Sequence, residues 1–144
     1  MLYQGLMEKL LASSFRIIDI LPERVPAESN ERYGAVEQYF LQPERLQDLR
    51  RAQAELILKL NCYYRISISL DGRESWEDNP EPTGLMEKIS SLSNGKTARI
   101  LIPEQETMID LDGCDTYLTV FNPSEVMCSL LDQLAQAAGL FLWK

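Results

Sequence analysis

Apolar residues recur every three to four positions in four segments of this chain, and at shorter intervals in the segments between them. The first spacing is typical of helices that bury one side, whereas alternation by two is typical of half-buried strands. The predicted helices span residues 2–12, 43–60, 85–92 and 123–138. The predicted strands span residues 15–21, 33–41, 63–70, 97–102, 106–111 and 116–121.

In chain order these elements are α β β α β α β β β α, and the last three strands follow one another through short connections. Irregular alternation of this kind is typical of an α+β domain rather than of a parallel α/β fold. We therefore predict one domain over residues 1–144, with a mostly antiparallel sheet of about five to six strands and helices packed on one face.

Local signals define several element ends. Pro43 suits the first turn of a helix, and Asn61 is a candidate left-handed cap at the end of that helix. Asn122 is predicted to be the N-cap of the last helix, where Glu125 would complete a capping box, and Gly139 ends that helix. A helix end is also predicted at Asn94-Gly95, and a tight hairpin turn is predicted at Asp112-Gly113.

Two segments need tertiary information. Residues 33–41 have no clear period, and we favour a strand that returns beside residues 15–21. Residues 140–143 are four large apolar residues in a row, which would not be left in water. They predict either an edge strand of this sheet or an interface with a partner or a second copy of the chain.

Composition places the chain among globular proteins, with 45% hydrophobic and 25% charged residues. No stretch approaches the roughly 20 apolar residues that cross a bilayer. The N-terminal segment has no basic region followed by an apolar run, so it does not predict a secretory signal. Three cysteines are an odd number, typical of thiols in a reducing compartment, and we predict a cytoplasmic location.

The net charge of −8 is unevenly distributed. Residues 1–72 carry 9 Lys and Arg against 10 Asp and Glu, whereas residues 73–144 carry 5 against 12. Nucleic acids and anionic membranes are disfavoured as partners, because both attract basic surfaces. A basic protein would be attracted, although acidity alone also keeps a protein soluble.

The chain contains no histidine, the commonest general base and metal ligand near neutral pH. Cys62, Cys114 and Cys128 share no short metal-binding spacing. Residues 110–115 resemble part of a calcium loop, but Met108 and Thr119 would occupy positions that require carboxylates. We therefore predict neither a metal nor a cofactor, and a non-catalytic role is favoured over an enzyme.

The leading hypothesis is an acidic protein-interaction module, of the inhibitor, immunity or antitoxin type, that binds a basic partner. Tryptophan dominates many interface hot spots, and acidic groups surround the first of the two tryptophans in a polar loop over residues 71–82. The candidate contact residues are Trp76, Glu77, Asp78, Asp112, Asp115 and Trp143.

An alternative is an anionic-ligand site or enzyme site on the polar face of the sheet. In residues 63–70 the apolar side chains alternate with Arg65 and Ser67, which predicts a strand with one wet face. Arg99 and Asp110 would join them if neighbouring strands present the same face, and arginine suits carboxylate or phosphate ligands. A third hypothesis is a subunit of a homo-oligomer, for example a homodimer, in which copies of the chain associate through residues 140–143.

Overall fold

A seven-stranded antiparallel sheet and five α-helices account for most of the residues described by this computed structural model, which are 3–70, 76–92 and 96–143. The strands are β1 Phe15–Asp19, β2 Ser67–Leu70, β3 Glu77–Asp78, β4 Thr97–Ile102, β5 Thr107–Asp112, β6 Leu118–Phe121 and β7 Phe141–Trp143. The helices are α1 Gln4–Leu11, α2 Asn30–Phe40, α3 Pro43–Leu60, α4 Pro82–Ser90 and α5 Glu125–Ala137.

The order of strands across the sheet is β3-β2-β4-β5-β6-β1-β7, with every neighbouring pair antiparallel. The predicted α+β class is therefore confirmed. The number of strands exceeds the predicted five to six because two very short strands extend the edges, β3 on one side and β7 on the other.

One face of the sheet carries the main core, under helices α3, α4 and α5. Its strand side chains follow the two-residue period expected of a sheet with one apolar face. Buried members of this core from the sheet are Ile18, Ile68, Ala98, Ile100, Ile102, Ile109, Leu111, Leu118 and Val120. The helices contribute, among others, Leu49, Leu56, Ile57, Leu60, Leu85, Ile89, Met127, Leu131 and Ala135.

Helix α1 packs on the opposite face of the sheet. Leu10 from this helix is fully buried against Leu101 of β4 and Met108 of β5. Trp76 joins the same small cluster, where its ring meets that of Tyr3 edge-on with centroids 5.4 Å apart. On this opposite face, called the second face below, helix α1 covers β2, β4 and β5. The other half, over β6, β1 and β7, is not covered by α1.

The prediction of a strand over residues 33–41 is wrong, because residues 30–40 form helix α2. Tyr33, Val36 and Phe40 also fit a helical spacing, and this spacing is the one that the fold uses. The place beside β1 that this strand would have taken is filled by β6 on one side and β7 on the other.

Three predicted local features also differ. Ser124, rather than Asn122, caps α5, and its side chain accepts a hydrogen bond from the backbone nitrogen of Met127 at 3.1 Å. Asn122 instead adopts a left-handed conformation with φ +59°. Asn61 remains in the right-handed helical region. The link between β5 and β6 covers residues 113–117 and is longer than a tight hairpin turn.

Other predicted ends agree with the structure or lie outside the described residues. Gly139 follows α5 with φ +77°, and Leu140 then donates its backbone N–H to the carbonyl of Ala135 at 2.8 Å. This geometry ends the helix and directs the chain into β7. The predicted helix end at Asn94-Gly95 and residues 71–75 of the predicted polar loop lie outside the described residues.

Candidate ligand-binding cleft

A cleft with a volume of about 1020 Å³ lies on the half of the second sheet face that α1 leaves uncovered. Strands β6, β1 and β7 form its floor. Residues 20–29, which connect β1 to α2, and the first turns of α2 form its wall. The cleft exists because this connection runs over the sheet face instead of continuing away from it.

The floor consists of side chains brought into rows by the strand register. Ile17 of β1 lies between Thr119 of β6 and Trp143 of β7. In the next row Phe15 pairs with Phe121, with ring centroids 6.0 Å apart. Alternate residues of three strands therefore supply a mainly apolar and aromatic surface.

The wall adds both apolar and polar groups. Leu21 and Val25 are half-buried along the connection, and Tyr33 reaches the cleft from α2. Glu23 and Arg24 are exposed at the rim. Because these two rim charges are opposite and adjacent in sequence, the wall itself contributes little net charge.

Asp19, the last residue of β1, is the buried ionisable group of the cleft and is only 5% exposed. Its Oδ1 accepts hydrogen bonds from the backbone nitrogen of Ile20 at 2.7 Å and from Oγ1 of Thr116 at 3.0 Å. Burial raises the pKa of this carboxyl, and the two hydrogen bonds only partly oppose that effect.

Two tyrosines flank this carboxyl. Burial raises the pKa of Tyr33, and the negative charge of Asp19 raises it further. Burial also raises the pKa of Tyr117, and the negative charge of Asp115 raises it further. Both phenols are therefore neutral hydrogen-bonding groups near pH 7, and the surroundings of Asp19 are electrically negative.

A buried arginine supports this side of the cleft from below. Arg50 of α3 is 1% exposed and donates to Oε1 of Gln53 at 2.8 Å. Gln53 in turn donates to the backbone oxygen of Thr116 at 3.2 Å, and the Thr116 hydroxyl holds Asp19. A chain of polar contacts thus runs from the helix layer to the cleft carboxyl.

The residues of the predicted anionic-ligand site are only partly brought together, and they lie under α1 rather than in the cleft. Ser67, Arg99 and Asp110 do share the second sheet face. However, Nε of Arg99 lies 3.3 Å from Oδ1 of Asp110, and its Nη1 lies 3.1 Å from Sδ of Met7 in α1. Arg65 is exposed and precedes β2. Arg99 is therefore already paired with a carboxylate of the same chain.

The predicted partner-binding residues lie in three separate places. Trp76, Glu77 and Asp78 are at the β3 edge, whereas Trp143 is on the opposite edge strand. Six strand spacings of about 4.8 Å place these edges roughly 29 Å apart. Asp112 is the last residue of β5, and Asp115 lies in the link between β5 and β6. These six residues therefore do not form one continuous contact surface.

Two of these acidic side chains are engaged inside the chain. Oδ1 of Asp78 accepts hydrogen bonds from the hydroxyls of Ser67 and Tyr3. Glu77 forms an ion pair with Lys88 of α4. The C-terminal segment, for its part, adds edge strand β7 to this sheet, which was one of its two predicted roles.

Sequence reasoning missed Asp19, Tyr33 and Arg50 as important positions, although each had a signal. Asp19 interrupts a run of β-branched residues in a predicted strand. Arg50 and Gln53 lie on the apolar stripe of their helix at a spacing of three residues, where a polar residue needs a buried partner. For Tyr33 the available signal was weaker, namely its helical spacing with Val36 and Phe40.

Within the described ranges, no group of three or more cysteine, aspartate or glutamate side chains is arranged to hold a metal ion. None of the helices in those ranges combines the length and the apolar character needed to cross a membrane. No protein-family model, curated protein or solved structure matches this chain.

Proposed function

We propose that this protein is a ligand-binding domain and that a small organic molecule occupies the cleft between the β6–β1–β7 face and residues 20–33. The observation that supports this proposal is the cleft itself. Small-molecule sites are concave, several hundred Å³ in volume and mostly apolar, with a few polar groups that orient the ligand. The cleft, with a volume of about 1020 Å³, lies at the upper end of the usual size range and has this mixture of aromatic and polar groups.

The position of the cleft also supports binding. A rigid sheet provides the floor, and the wall is a connection with two prolines, Pro22 and Pro26, followed by a helix. Sites that rest on regular elements hold their geometry more accurately than sites made of loops alone. The proposal concerns binding and does not include a chemical step.

Thr119 offers a direct test because it lines the floor on its β6 side, directly beside Ile17 of β1. Phenylalanine at this position would fill part of the cleft and suits a strand. Valine has nearly the volume of threonine and would leave the cleft open. The pair Thr119→Phe and Thr119→Val therefore separates filling of the cleft from the loss of a hydroxyl.

The experiment is a ligand-observed NMR screen of a fragment library containing cations, anions and neutral molecules. We expect hits with the wild-type protein that persist with Thr119→Val and are lost with Thr119→Phe, while amide spectra show that both variants are folded. An absence of hits, or hits that bind all three proteins equally, would contradict the proposal.

An acidic protein-interaction module is a second candidate, supported by the net charge of −8 and by the proximity of Asp112, at the end of β5, to Asp115 in the link that follows. The test is capture of basic proteins from lysate at low and high salt. A double variant, Asp112→Asn with Asp115→Asn, should lose a salt-sensitive partner. Glu44→Gln with Glu55→Gln makes the same charge change on exposed positions of α3 and should retain it.

If the double variant on the link retains the partner, these two residues are not the binding site. A cytoplasmic location and a dimer through residues 140–143 stay predictions. The first rests on the odd number of cysteines, and the second rests on the edge position of β7.

A further inference from the structure

We infer that the ligand of this cleft is an organic cation, an ammonium or guanidinium group on an apolar body, and that Asp19 is its counter-ion. This inference rests on the proposed function, since it names the chemical class that the same cleft would bind. It depends on the hydrogen bonds of Asp19, on the aromatic groups around it and on the distribution of charge along the cleft.

The hydrogen bonds of Asp19 leave one carboxylate oxygen available. Both bonds, from Ile20 and from Thr116, go to Oδ1. Among the described residues none donates a hydrogen bond to Oδ2 or forms an ion pair with this carboxyl. A carboxylate that is 5% exposed loses much of its hydration, and buried charges in proteins are normally paired. A cationic group in the cleft would supply that pairing.

The aromatic side chains around the carboxyl suit the same class of ligand. Tyr33 and Tyr117 flank Asp19, and Trp143 stands beside Ile17 on the floor. The faces of aromatic rings carry partial negative charge and attract ammonium and guanidinium groups. The same rings provide apolar contact for the body of the ligand, so one end of the molecule can be charged while the remainder is buried.

The charges of the cleft disfavour an anion. Among the described lining residues Arg24 carries the positive charge, and it is exposed at the rim beside Glu23. An anion deep in the cleft would meet Asp19, and Asp115 lies near Tyr117 on the same side. The arginines that suggested an anionic ligand, Arg65 and Arg99, lie outside the cleft lining.

Three indole compounds of similar size test the sign of the charge: tryptamine, a cation at pH 7, tryptophol, which is neutral, and indole-3-propionate, an anion. Each is titrated into the protein of residues 1–144 while the amide shifts of the cleft residues are followed. We expect tryptamine to bind about tenfold or more tightly than tryptophol, because charge-assisted hydrogen bonds have that order of strength. Indole-3-propionate should bind most weakly.

Asp19→Asn isolates the counter-ion. This variant should bind tryptamine and tryptophol with affinities equal to within about threefold, while its affinity for tryptophol stays close to that of the wild-type protein. Asp115→Asn removes the same charge from the surroundings without removing the buried carboxylate. It should keep most of the preference for tryptamine.

The possible failures are distinguishable. If all three compounds bind in the cleft with equal affinity, or if Asp19→Asn keeps the preference for tryptamine, the counter-ion inference is wrong and the proposed ligand-binding function stands. If none of the three compounds shifts the cleft residues while the fragment screen gives hits, the counter-ion inference is wrong; if the screen is also negative, both are wrong.

Discussion

Arg50, on helix α3, donates a hydrogen bond from Nη2 to the carbonyl oxygen of Asp115, 2.8 Å away in the link between β5 and β6. The same nitrogen lies 2.9 Å from the carbonyl oxygen of Gly113. A guanidinium presents several donors in a planar fork, so one side chain can satisfy several backbone oxygens of a turn. This contact fixes the link on the helix layer and, through Gln53 and Thr116, fixes the position of Asp19.

Replacement of Arg50 should therefore destabilise the protein strongly. We expect Arg50→Met to lower the free energy of unfolding by about 3 kcal/mol, because buried carbonyl oxygens of the link lose their donors. The measurement is urea unfolding followed by circular dichroism. Arg51→Ala, at the exposed neighbouring position, serves as the control and should change the stability by less than about 0.5 kcal/mol. Similar values for the two variants would contradict the scaffolding role of Arg50.

Stability should depend on pH through Asp19. Burial raises the pKa of this carboxyl in the folded state above the ordinary value of 3.8. The folded protein therefore holds the proton to higher pH than the unfolded chain does, and this contribution to stability is lost as the pH rises through the folded-state pKa. Of the groups that face this carboxyl, Tyr33 and Tyr117 remain neutral across this range, whereas Asp115 also has a raised pKa and adds to the same trend.

Asp19→Asn stays neutral at every pH and retains an oxygen that can accept from Ile20 and Thr116. We expect this variant to be more stable than the wild-type protein at pH 7, and the advantage to shrink as the pH falls toward 4. Urea unfolding at several pH values measures the difference. An advantage that is constant with pH would show that the carboxyl does not titrate as inferred.

Trp76 should contribute to stability through its packing on α1. We expect Trp76→Ala to lower the free energy of unfolding by about 2 kcal/mol, since the side chain is half-buried against Tyr3 and the small cluster under α1. Trp76→Phe should cost less, because it keeps a ring and removes a buried indole nitrogen that has no hydrogen-bond partner among the described residues. Unchanged stability in Trp76→Ala would instead favour the hypothesis that Trp76 contacts a protein partner.

Ser124 should be the effective cap of α5. We expect Ser124→Ala to cost about 1 kcal/mol, because the backbone nitrogen of Met127 loses its acceptor. Ser124→Asp should retain most of the stability, since aspartate is also a good N-cap. Ser129→Ala, at an exposed position inside the same helix, is the control and should be neutral or slightly stabilising. Thermal unfolding of the three variants gives the comparison.

The helices and strands that could be predicted are those whose burial is controlled by a clear local period. Helix α3 begins at Pro43 as expected, and Ile66 and Ile68 belong to the main core as their alternation predicts. Residues 33–41 have three aromatic residues and a glycine but no dominant period, so local preference alone did not distinguish a helix from a strand.

The cleft could not be predicted in the same way because its parts are far apart in sequence. Asp19, Tyr33 and Trp143 come from β1, α2 and β7, and the order of strands brings them together. The polar face that alternation indicated does exist, but α1 covers the part of it that holds Arg99 and Asp110.

The sequence by itself therefore determined the α+β class, the apolar face of each periodic element and the acidic character of the chain. These properties follow from spacing and composition, which are local. Tertiary structure decided the strand order, the half of the second face that α1 covers and the burial of Asp19 beneath residues 20–33. Those features depend on which segments, far apart in sequence, pack against one another. The two-residue period of a strand shows which side chains share a face but not which segment will cover that face.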